Sequence, residues 1–207
     1  MKYCKLLLFS LIFWGGMNTI SSQNNKISTI DEIEKLSGKL GIEISEHSLD
    51  LSLYKEVVKW LGTRYRRGGM SFKGVDCSGF TGSVYKAVFD KQLNRRSIDM
   101  ANNVLTDVEK EDLEPGDMVF FATSRRKNTI NHVGIYLKDN KFVHASCGKG
   151  VIVSNLDDPY YKRAWKKGGR VNEVQNKYRF APLDISMEVL MCNVNVVSIR
   201  EIDNFTN

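Results

Sequence analysis

The sequence feature that most constrains the fold of this chain is a glycine-rich stretch that precedes a cysteine. An amphipathic segment follows the cysteine directly. The glycine-rich stretch is Tyr65–Gly69, and it is followed by Val75–Phe80 with Cys77 at its centre. Apolar residues in the next segment, Thr81–Asp90, recur with the spacing of one helical face. Cys77 is therefore predicted at a helix N-terminus, where unpaired backbone N–H groups stabilise an anion and lower the pKa of a thiol. A buried, unreactive cysteine is the alternative when the residue is considered without its context.

Two histidines lie in consecutive segments that are rich in β-branched and aromatic residues. His132 lies in Asn131–Tyr136 and His144 lies in Lys141–Ser146, and the turn residues between them predict an antiparallel hairpin. Their separation of 12 residues is even, so we expect both imidazoles on one face of the sheet if no bulge intervenes. One imidazole can then take the proton of a thiol while the other orients it.

Five motifs in this chain occur in the order and at the spacing of one protein family: Tyr65–Gly69, Asp76–Phe80, Pro115–Phe121, Asn131–Tyr136 and Phe142–Ala145. Over roughly residues 53–170 the sequence resembles the NlpC/P60 family of papain-like cysteine peptidases. The resemblance implies an α+β fold in which a helix that carries the nucleophilic cysteine packs on an antiparallel β-sheet that carries the histidines. It also implies activity on the stem peptides of the bacterial cell wall.

The resemblance further implies roles for individual residues. Cys77 is the expected nucleophile, with His132 as the general base and His144 as the residue that orients it. Tyr65 is expected near the thiolate, where its hydroxyl would hold the substrate or a developing oxyanion, and an ordinary core aromatic residue is the alternative. The neighbours of the cysteine, Asp76 and Ser78, are the expected substrate contacts.

The chain has 207 residues, of which 42% are hydrophobic, and this is enough for one core but too short for two full-sized domains. Residues 1–22 contain lysines near their start, then a short apolar run, and end in small and polar residues. This pattern predicts a secretory signal peptide. A membrane anchor would need about 20 consecutive apolar residues. Residues 23–50 are predicted to be a linker or strap, residues 51–170 the catalytic domain, and residues 171–207 a C-terminal extension without a motif.

The chain is basic, with 30 Lys and Arg residues against 24 Asp and Glu residues and a net charge of +6. This balance suits a protein that acts on an anionic polymer, and nucleic acid is the competing partner. No nucleic-acid module is recognisable, and the predicted signal peptide directs the chain out of the cytoplasm. We therefore expect an exported monomer, periplasmic or secreted, that acts on peptidoglycan and has no stable membrane insertion. The basic stretch Ser124–Asn128 is either a solvated loop or an aid to binding acidic stem peptides.

Three cysteines remain after removal of the predicted signal peptide, and they are Cys77, Cys147 and Cys192. An odd number leaves at least one of them unpaired, as a nucleophile must be. A disulfide between Cys147 and Cys192 and two reduced thiols are both compatible with the sequence.

The function predicted from these features is a cysteine endopeptidase without a cofactor. By the resemblance, the bond that it cleaves is a γ-D-glutamyl–diamino acid amide. The alternatives are amidase or acyl transferase chemistry on the same scaffold, or an inactive peptidoglycan-binding module. A zinc site built from Cys77, His132 and His144 is a further alternative, which the lack of a Cys-x-x-Cys pair disfavours.

Overall fold

The computed structural model of the chain describes residues 29–45, 48, 50–103, 106–124 and 128–171. The predicted signal peptide, the basic residues 125–127 and Cys192 lie outside the described residues, as does the predicted extension beyond residue 171. No helix in the described part of the chain combines the length and the apolar character that crossing a membrane requires.

Five α-helices lie in the described residues. They are α1 (residues 29–40), α2 (Leu51–Trp60), α3 (Cys77–Phe89), α4 (Ser97–Asn102) and α5 (Pro159–Ala164). A short 3-10 helix covers Lys110–Asp112. The helix that follows Cys77 thus begins at the cysteine itself, four residues before the predicted segment.

Within the part of the chain that the structure describes, eight β-strands form two sheets. They are β1 (Met70–Ser71), β2 (Gly74–Val75), β3 (Thr106–Val108), β4 (Met118–Phe121), β5 (His132–Lys138), β6 (Lys141–Ser146), β7 (Gly150–Asn155) and β8 (Trp165–Arg170). The first two form a small hairpin, and the other six form one sheet in the order β3-β8-β4-β5-β6-β7. Every pairing in the large sheet is antiparallel. The predicted α+β architecture is therefore confirmed.

The core lies on both faces of the large sheet. Helix α3 contacts strands β5 and β6, and it buries Phe80, Val84 and Tyr85 completely or nearly so. A second cluster includes Phe121, Phe142 and Leu156, and Tyr161 and Trp165 pack against it. Each such aromatic or aliphatic side chain stabilises the fold by about 1.5–3 kcal/mol through burial. Because both faces are covered, strand β4 is an unbroken run of four buried apolar residues.

Helix α1 and the residues after it lie in the segment predicted to be a linker or strap. The helix buries Ile33, Leu36 and Leu40, and Glu32 forms a salt bridge of 2.8 Å with Lys55 of α2. The Nζ of Lys138 donates to a backbone carbonyl of the following stretch at 3.1 Å. This part of the segment is thus held to the catalytic domain by apolar contacts, by a salt bridge and by a hydrogen bond from a lysine ammonium group.

Strand β8 was not predicted, because its sequence carries no β-strand pattern. Two lysines and two glycines occupy its centre, and neither residue type favours strands. A Cβ at Gly168 would lie 2.7 Å from the Leu113 side chain and from the Val108 carbonyl oxygen. The glycine permits this close approach between strands.

Candidate active site

Cys77 is the first residue of α3, and Asp76 caps the helix. The Asp76 carboxylate accepts hydrogen bonds from the backbone N–H groups of Gly79 at 2.8 Å and Gly68 at 2.7 Å. The first bond satisfies a free N–H group of the helix start, and the second ties the glycine-rich approach to it. The glycine-rich stretch and the cap thereby fix the position of the cysteine backbone.

The thiol of Cys77 is enclosed, with only 9% of the residue exposed. Burial raises the pKa of Cys77, and the Asp76 carboxylate raises it further, while the N–H groups of Val133 and Ser78 donate to the sulfur and oppose this. The expectation of a lowered thiol pKa is therefore wrong in direction, because desolvation outweighs the helix terminus. In the resting site Cys77 is a neutral thiol that needs a base to become a nucleophile.

The two histidines form a buried pair. The Nε2 atom of His132 lies 2.8 Å from the Nδ1 atom of His144, which is a hydrogen-bonding distance. Burial lowers the pKa of His132 to about 4. Burial and the neighbouring charge of His132 hold the pKa of His144 well below its usual value. Both imidazoles are therefore neutral near pH 7, and His132 can accept a proton.

The turn between β5 and β6 sets an unfavourable register for this pair. Asp139 and Asn140 have φ angles of 53° and 57° and form a two-residue turn of the kind that matches strand twist. The lysines that flank it, Lys138 and Lys141, are paired. If that register continued, His144 would lie on the opposite face of the sheet from the other histidine, because side chains alternate along a strand.

A β-bulge corrects the register. The pairing shifts between Tyr136 and Lys138, and beyond the shift Ile135 pairs with Val143. Because β5 has one extra residue at this point, the alternation of its side chains shifts by one relative to β6 beyond the bulge. A side chain of β6 that would have faced away from a given side chain of β5 then lies on the same face. The two histidines then share a face. The two imidazoles lie on one face as expected, but the stated condition that no bulge intervenes is wrong, since the tight turn makes the bulge necessary.

Gly134 provides the space in which the pair meets. A Cβ at this position would lie 2.8 Å from the Phe142 ring, 2.8 Å from the carbonyl oxygen of Val143 and 3.1 Å from the Cβ of His144. Any side chain would therefore force the Phe142 ring, the Val143 backbone or His144 to shift. The ring of Phe142 also stacks against His144, with a centroid distance of 4.9 Å and an interplanar angle of 24°.

Two hydroxyl groups hold the outer nitrogen of His144. Its Nε2 atom lies 3.0 Å from the Oγ atom of Ser154 and 3.0 Å from the hydroxyl of Tyr161. The sequence analysis missed both residues, because Ser154 lies in a short strand and Tyr161 in a short helix, with no motif around either. Together with His132 they complete a hydrogen-bonded series behind the cysteine.

Arg95 is the other residue that the sequence analysis missed. Its guanidinium donates to both carboxylate oxygens of Asp76, at 2.8 and 2.9 Å, and to the hydroxyl of Ser78 at 2.6 Å. Although burial acts to raise it, the pKa of Asp76 lies below its usual value because Arg95 and two backbone N–H groups stabilise the carboxylate. The polar atoms of both predicted substrate contacts, Asp76 and Ser78, are thus engaged within the protein.

Tyr65 lies in the cavity that Cys77 lines, as expected from the sequence. Its hydroxyl forms a hydrogen bond with the side chain of Cys147, and burial raises the pKa of Tyr65. Within the described residues Cys147 is a free, exposed thiol.

The site opens into two depressions. The first, of about 490 Å³, is lined by Tyr65, Cys77 and three arginines, Arg67, Arg95 and Arg96, among other residues. The second, of about 290 Å³, includes both histidines and Tyr160 in its lining. The facing ring nitrogens of the histidine pair suit proton transfer rather than joint ligation of one metal ion.

Comparison with known proteins adds a family and named relatives. Residues 62–170 match the sequence profile described as the NlpC/P60 family. A protein of Escherichia coli (strain K12) described as "Probable endopeptidase NlpC" is 36% identical over 172 residues, which cover 83% of this chain and 100% of that protein. The "Murein DD-endopeptidase MepS/Murein LD-carboxypeptidase" of the same organism is 36% identical over 156 residues, 75% of each chain.

A third relative and a solved structure extend the comparison. The "Gamma-D-glutamyl-L-lysine dipeptidyl-peptidase" of Bacillus subtilis (strain 168) is 35% identical over 105 residues, which are 50% of this chain and 35% of that protein. The crystal structure of an NlpC/P60 family protein from Bacillus cereus superimposes with a TM-score of 0.55 and 31% identity. That superposition covers 60% of this chain and 40% of the other.

Proposed function

The chain belongs to the NlpC/P60 family, and from this premise we propose the chemistry by which it acts as a peptidoglycan hydrolase of the cysteine peptidase class. Cys77 is the nucleophile, His132 the general base and His144 its orienting partner. The observation that carries this assignment is the hydrogen-bonded histidine pair on β5 and β6, next to the Val133 N–H that donates to the sulfur of Cys77 at the start of α3.

Catalysis begins with the transfer of the thiol proton from Cys77 to His132. Because Nε2 of His132 bonds to His144, Nδ1 is the nitrogen left to accept that proton. The thiolate sulfur then bonds to the substrate carbonyl carbon, and the carbonyl electron pair moves to oxygen. Backbone N–H groups at the helix start stabilise this oxyanion, and the Tyr65 hydroxyl adds a hydrogen bond when it turns from Cys147 to the substrate. The carbon–nitrogen bond breaks as His132 gives its proton to the leaving amine.

Water completes the reaction. Neutral His132 removes a proton from a water molecule, which attacks the thioester carbonyl carbon and releases the carboxylic acid. The Cys77 sulfur leaves as a thiolate and regains the proton from His132. His144 accepts the Nε2–H of His132 throughout, and its own Nε2–H is held by the hydroxyls of Ser154 and Tyr161. This anchoring keeps the base in the tautomer that catalysis needs.

The residues next to the nucleophile act mainly in support. Arg95, Asp76 and Ser78 form a closed set of hydrogen bonds around the helix start. We assign them to positioning Cys77 and to partly offsetting the Asp76 charge, rather than to direct substrate binding. A bidentate arginine–carboxylate pair is suited to this rigid role.

For the scissile bond we propose the γ-D-glutamyl–diamino acid amide of the stem peptide. The name of the Bacillus subtilis relative supports it. The D,D cross-link between stem peptides is the second candidate, because a relative that matches three quarters of this chain is named as a DD-endopeptidase. Amidase and acyl transferase activities on the same scaffold would give different products.

Digestion of defined muropeptides tests the assignment. Uncross-linked monomers contain the γ-D-glutamyl bond but no D,D cross-link, whereas cross-linked dimers contain both. The wild-type protein should release a diamino acid-containing fragment from the monomer, identified by mass, and Cys77→Ala should release none. Dimer cleavage with intact monomers would establish the second candidate instead. Binding of muropeptides without any product would establish a binding module.

Chelation tests the zinc alternative. We expect hydrolysis to be unchanged after dialysis against EDTA, since the histidine pair is bonded to itself and to two hydroxyls rather than arranged as ligands. Loss of activity with EDTA and its recovery on addition of zinc would overturn the nucleophile mechanism.

The cell envelope is the compartment in which such a substrate occurs. We propose that residues 1–22 direct export, that the mature chain acts as a monomer in the periplasm or outside the cell, and that it binds no nucleic acid. The mass of the protein recovered from the envelope, and its mass in solution by light scattering, test the first two statements.

A further inference from the structure

The depression that Cys77 lines is strongly cationic. Three arginines and one aspartate are among its lining residues. The charge of Arg95 is engaged by Asp76, so Arg67 and Arg96 supply the excess positive charge. Positive charge in a concave site attracts anions more strongly than the same charge on a flat surface, because the low-dielectric walls focus its field.

Both of these arginines are available to a ligand. The side chain of Arg96 is 74% exposed, and its only ionic contact in the described residues is with Asp99 at 3.8 Å, the outer limit for a salt bridge. Arg67 is exposed, and no hydrogen bond or salt bridge of its side chain occurs among the described residues. Arg95, by contrast, already donates to four acceptor atoms.

The proposed substrate carries an anion close to the reacting carbonyl. A γ-linked glutamyl residue uses its side-chain carboxyl group in the scissile amide and leaves its α-carboxylate free. That carboxylate and the scissile carbonyl carbon are joined through the α-carbon and two methylene carbons, so they lie at most about 5 Å apart. When the carbonyl group is at Cys77, the α-carboxylate is within reach of the depression that Cys77 lines together with Arg67 and Arg96.

We propose that Arg67 and Arg96 form a subsite for the α-carboxylate of the D-glutamyl residue, so that the protein selects D-glutamyl over D-isoglutaminyl stem peptides. This inference rests on the proposed γ-D-glutamyl specificity. Guanidinium groups bind carboxylates through two parallel N–H···O bonds, and a carboxamide removes the charge and replaces one acceptor oxygen with a donor. The amidated peptide would thus place a donor against a donor.

The test uses two synthetic peptides, L-Ala-γ-D-Glu-diamino acid and its α-carboxamide counterpart. With the wild-type protein, kcat/KM should be about tenfold higher for the carboxylate peptide, the range expected for charge-assisted bonds at a partly exposed site. Arg67→Gln and Arg96→Gln should each lower this preference by raising KM for the carboxylate peptide, with kcat little changed. The double variant should treat the two peptides alike.

A matched control removes a charge elsewhere. Lys138→Gln gives the same change in net charge at the far end of β5, six residues and about 20 Å from His132. It should keep the full preference, and unchanged melting temperatures confirm that all variants fold. Equal cleavage of both peptides by the wild type, or equal loss of preference in Lys138→Gln, would overturn the subsite and leave the hydrolase intact. Failure to cleave either peptide, with cross-linked dimers still digested, would overturn the γ-D-glutamyl assignment and the subsite with it.

Discussion

The protonation states of Cys77 and His132 decide how this site starts its reaction. Burial raises the pKa of the thiol and lowers the pKa of His132 to about 4. Desolvation disfavours both charged forms, so the resting pair is thiol and imidazole rather than thiolate and imidazolium. The charge separation must then be created during turnover, when the substrate has entered and its carbonyl oxygen can accept the negative charge.

The first prediction concerns the reactivity of this thiol. Alkylation of Cys77 by iodoacetamide should accelerate as pH rises above 8, without a plateau of high reactivity between pH 5 and 8, because the thiolate fraction stays small until the raised pKa is approached. Adduct mapping by mass against pH measures it. Exposed Cys147 serves as an internal reference. A pH-independent plateau that disappears in His132→Ala would show a resting ion pair and contradict the assignment.

The second prediction ranks the two histidines. His132→Ala should abolish turnover, because no other described group is assigned to take the thiol proton. His144→Gln and His144→Asn should retain a measurable fraction, since a side-chain amide oxygen can accept the Nε2–H of His132. Stem-peptide turnover for the three variants tests the order. If His144→Gln is as inactive as His132→Ala, His144 is the residue that pairs with the thiol.

Removing the hydroxyl groups that contact His144 gives a finer test of the hydrogen-bonded series that begins at His132. Ser154 and Tyr161 both contact Nε2 of His144, so either one can hold it alone. Ser154→Ala and Tyr161→Phe should each cost a few-fold in turnover, and the double variant more than the product of the two, as coupled residues do.

The residues proposed as catalytic could be named from sequence because each lies within a contiguous motif, whereas the residues that contact them do not. Arg95 reaches Asp76 across 19 residues of chain, and Tyr161 reaches His144 across 17. No local pattern marks either partner. Burial also could not be judged from the motif around Cys77, and this is why the predicted direction of its pKa shift failed.

At the scale of elements, the β5–β6 hairpin is the part that brings the histidines together. The residue types of both strands and the turn were predictable, because β-branched and aromatic runs flank residues that tolerate positive φ. The bulge was not predictable, since nothing in the residues Tyr136–Lys138 distinguishes an extra residue from a paired one. Strand β8 was not predicted for a related reason: its pairing with β3 and β4, rather than its composition, makes it a strand.

The third prediction tests the space inside this hairpin. Gly134→Ala should destabilise the fold by about 1–3 kcal/mol, because the new methyl group overlaps the Phe142 ring and a backbone oxygen that cannot move freely. Turnover should fall at least tenfold, because His144 is displaced from its partner. Thermal unfolding and stem-peptide hydrolysis measure the two effects.

Gly38→Ala in helix α1 provides the control for that substitution. A Cβ there meets nothing within 4 Å, and alanine favours a helix by about 1 kcal/mol over glycine. It should leave turnover unchanged and should not lower the melting temperature. Full activity of Gly134→Ala would show that the hairpin relaxes without moving the pair.

At the scale of the whole molecule, the α+β fold is the prediction that the structure and the family profile confirm. The family profile begins at residue 62 and ends at residue 170, and β8 ends at Arg170. The predicted bounds of the catalytic domain, residues 51 and 170, stay a prediction. The signal peptide and the C-terminal extension remain predictions.

The buried pair His132 and His144 affects the stability of the whole fold at acid pH. The pKa of His132 falls from 6.5 to about 4 on folding, so the unfolded chain binds more protons than the folded one between these values. Stability is then complete above pH 6.5 and is lost as pH falls towards 4, by up to about 3 kcal/mol for this one residue. His144 adds to the loss, because its pKa is also lowered.

Asp50, the residue before α2, opposes this trend over part of the same range. Burial and the charge of Glu114 raise its pKa from 3.8 to about 6, so its ionisation destabilises the fold as pH rises through that window. Protonation of Asp50 on acidification therefore offsets some of the histidine effect. The two contributions can be separated by substitution, since Asp50→Asn removes the opposing group and leaves the histidine pair intact.

The last prediction follows from these opposite signs. Urea unfolding of the wild-type protein at pH 7.5, 5.5 and 4.5 should show a falling free energy of unfolding, because the two buried histidines outweigh the carboxyl groups of Asp50 and Asp117, whose pKa values are raised. Asp50→Asn should be more stable than the wild type at pH 7.5, and its stability should fall more steeply with acidification. His132→Gln should show a shallower fall than the wild type, because one of the groups that protonate on unfolding is gone. The contradicting result is a free energy of unfolding that stays constant from pH 7.5 to 4.5 in both the wild type and Asp50→Asn. It would mean that the histidines are not buried as neutral bases, and the proton-transfer role of His132 would lose its physical support.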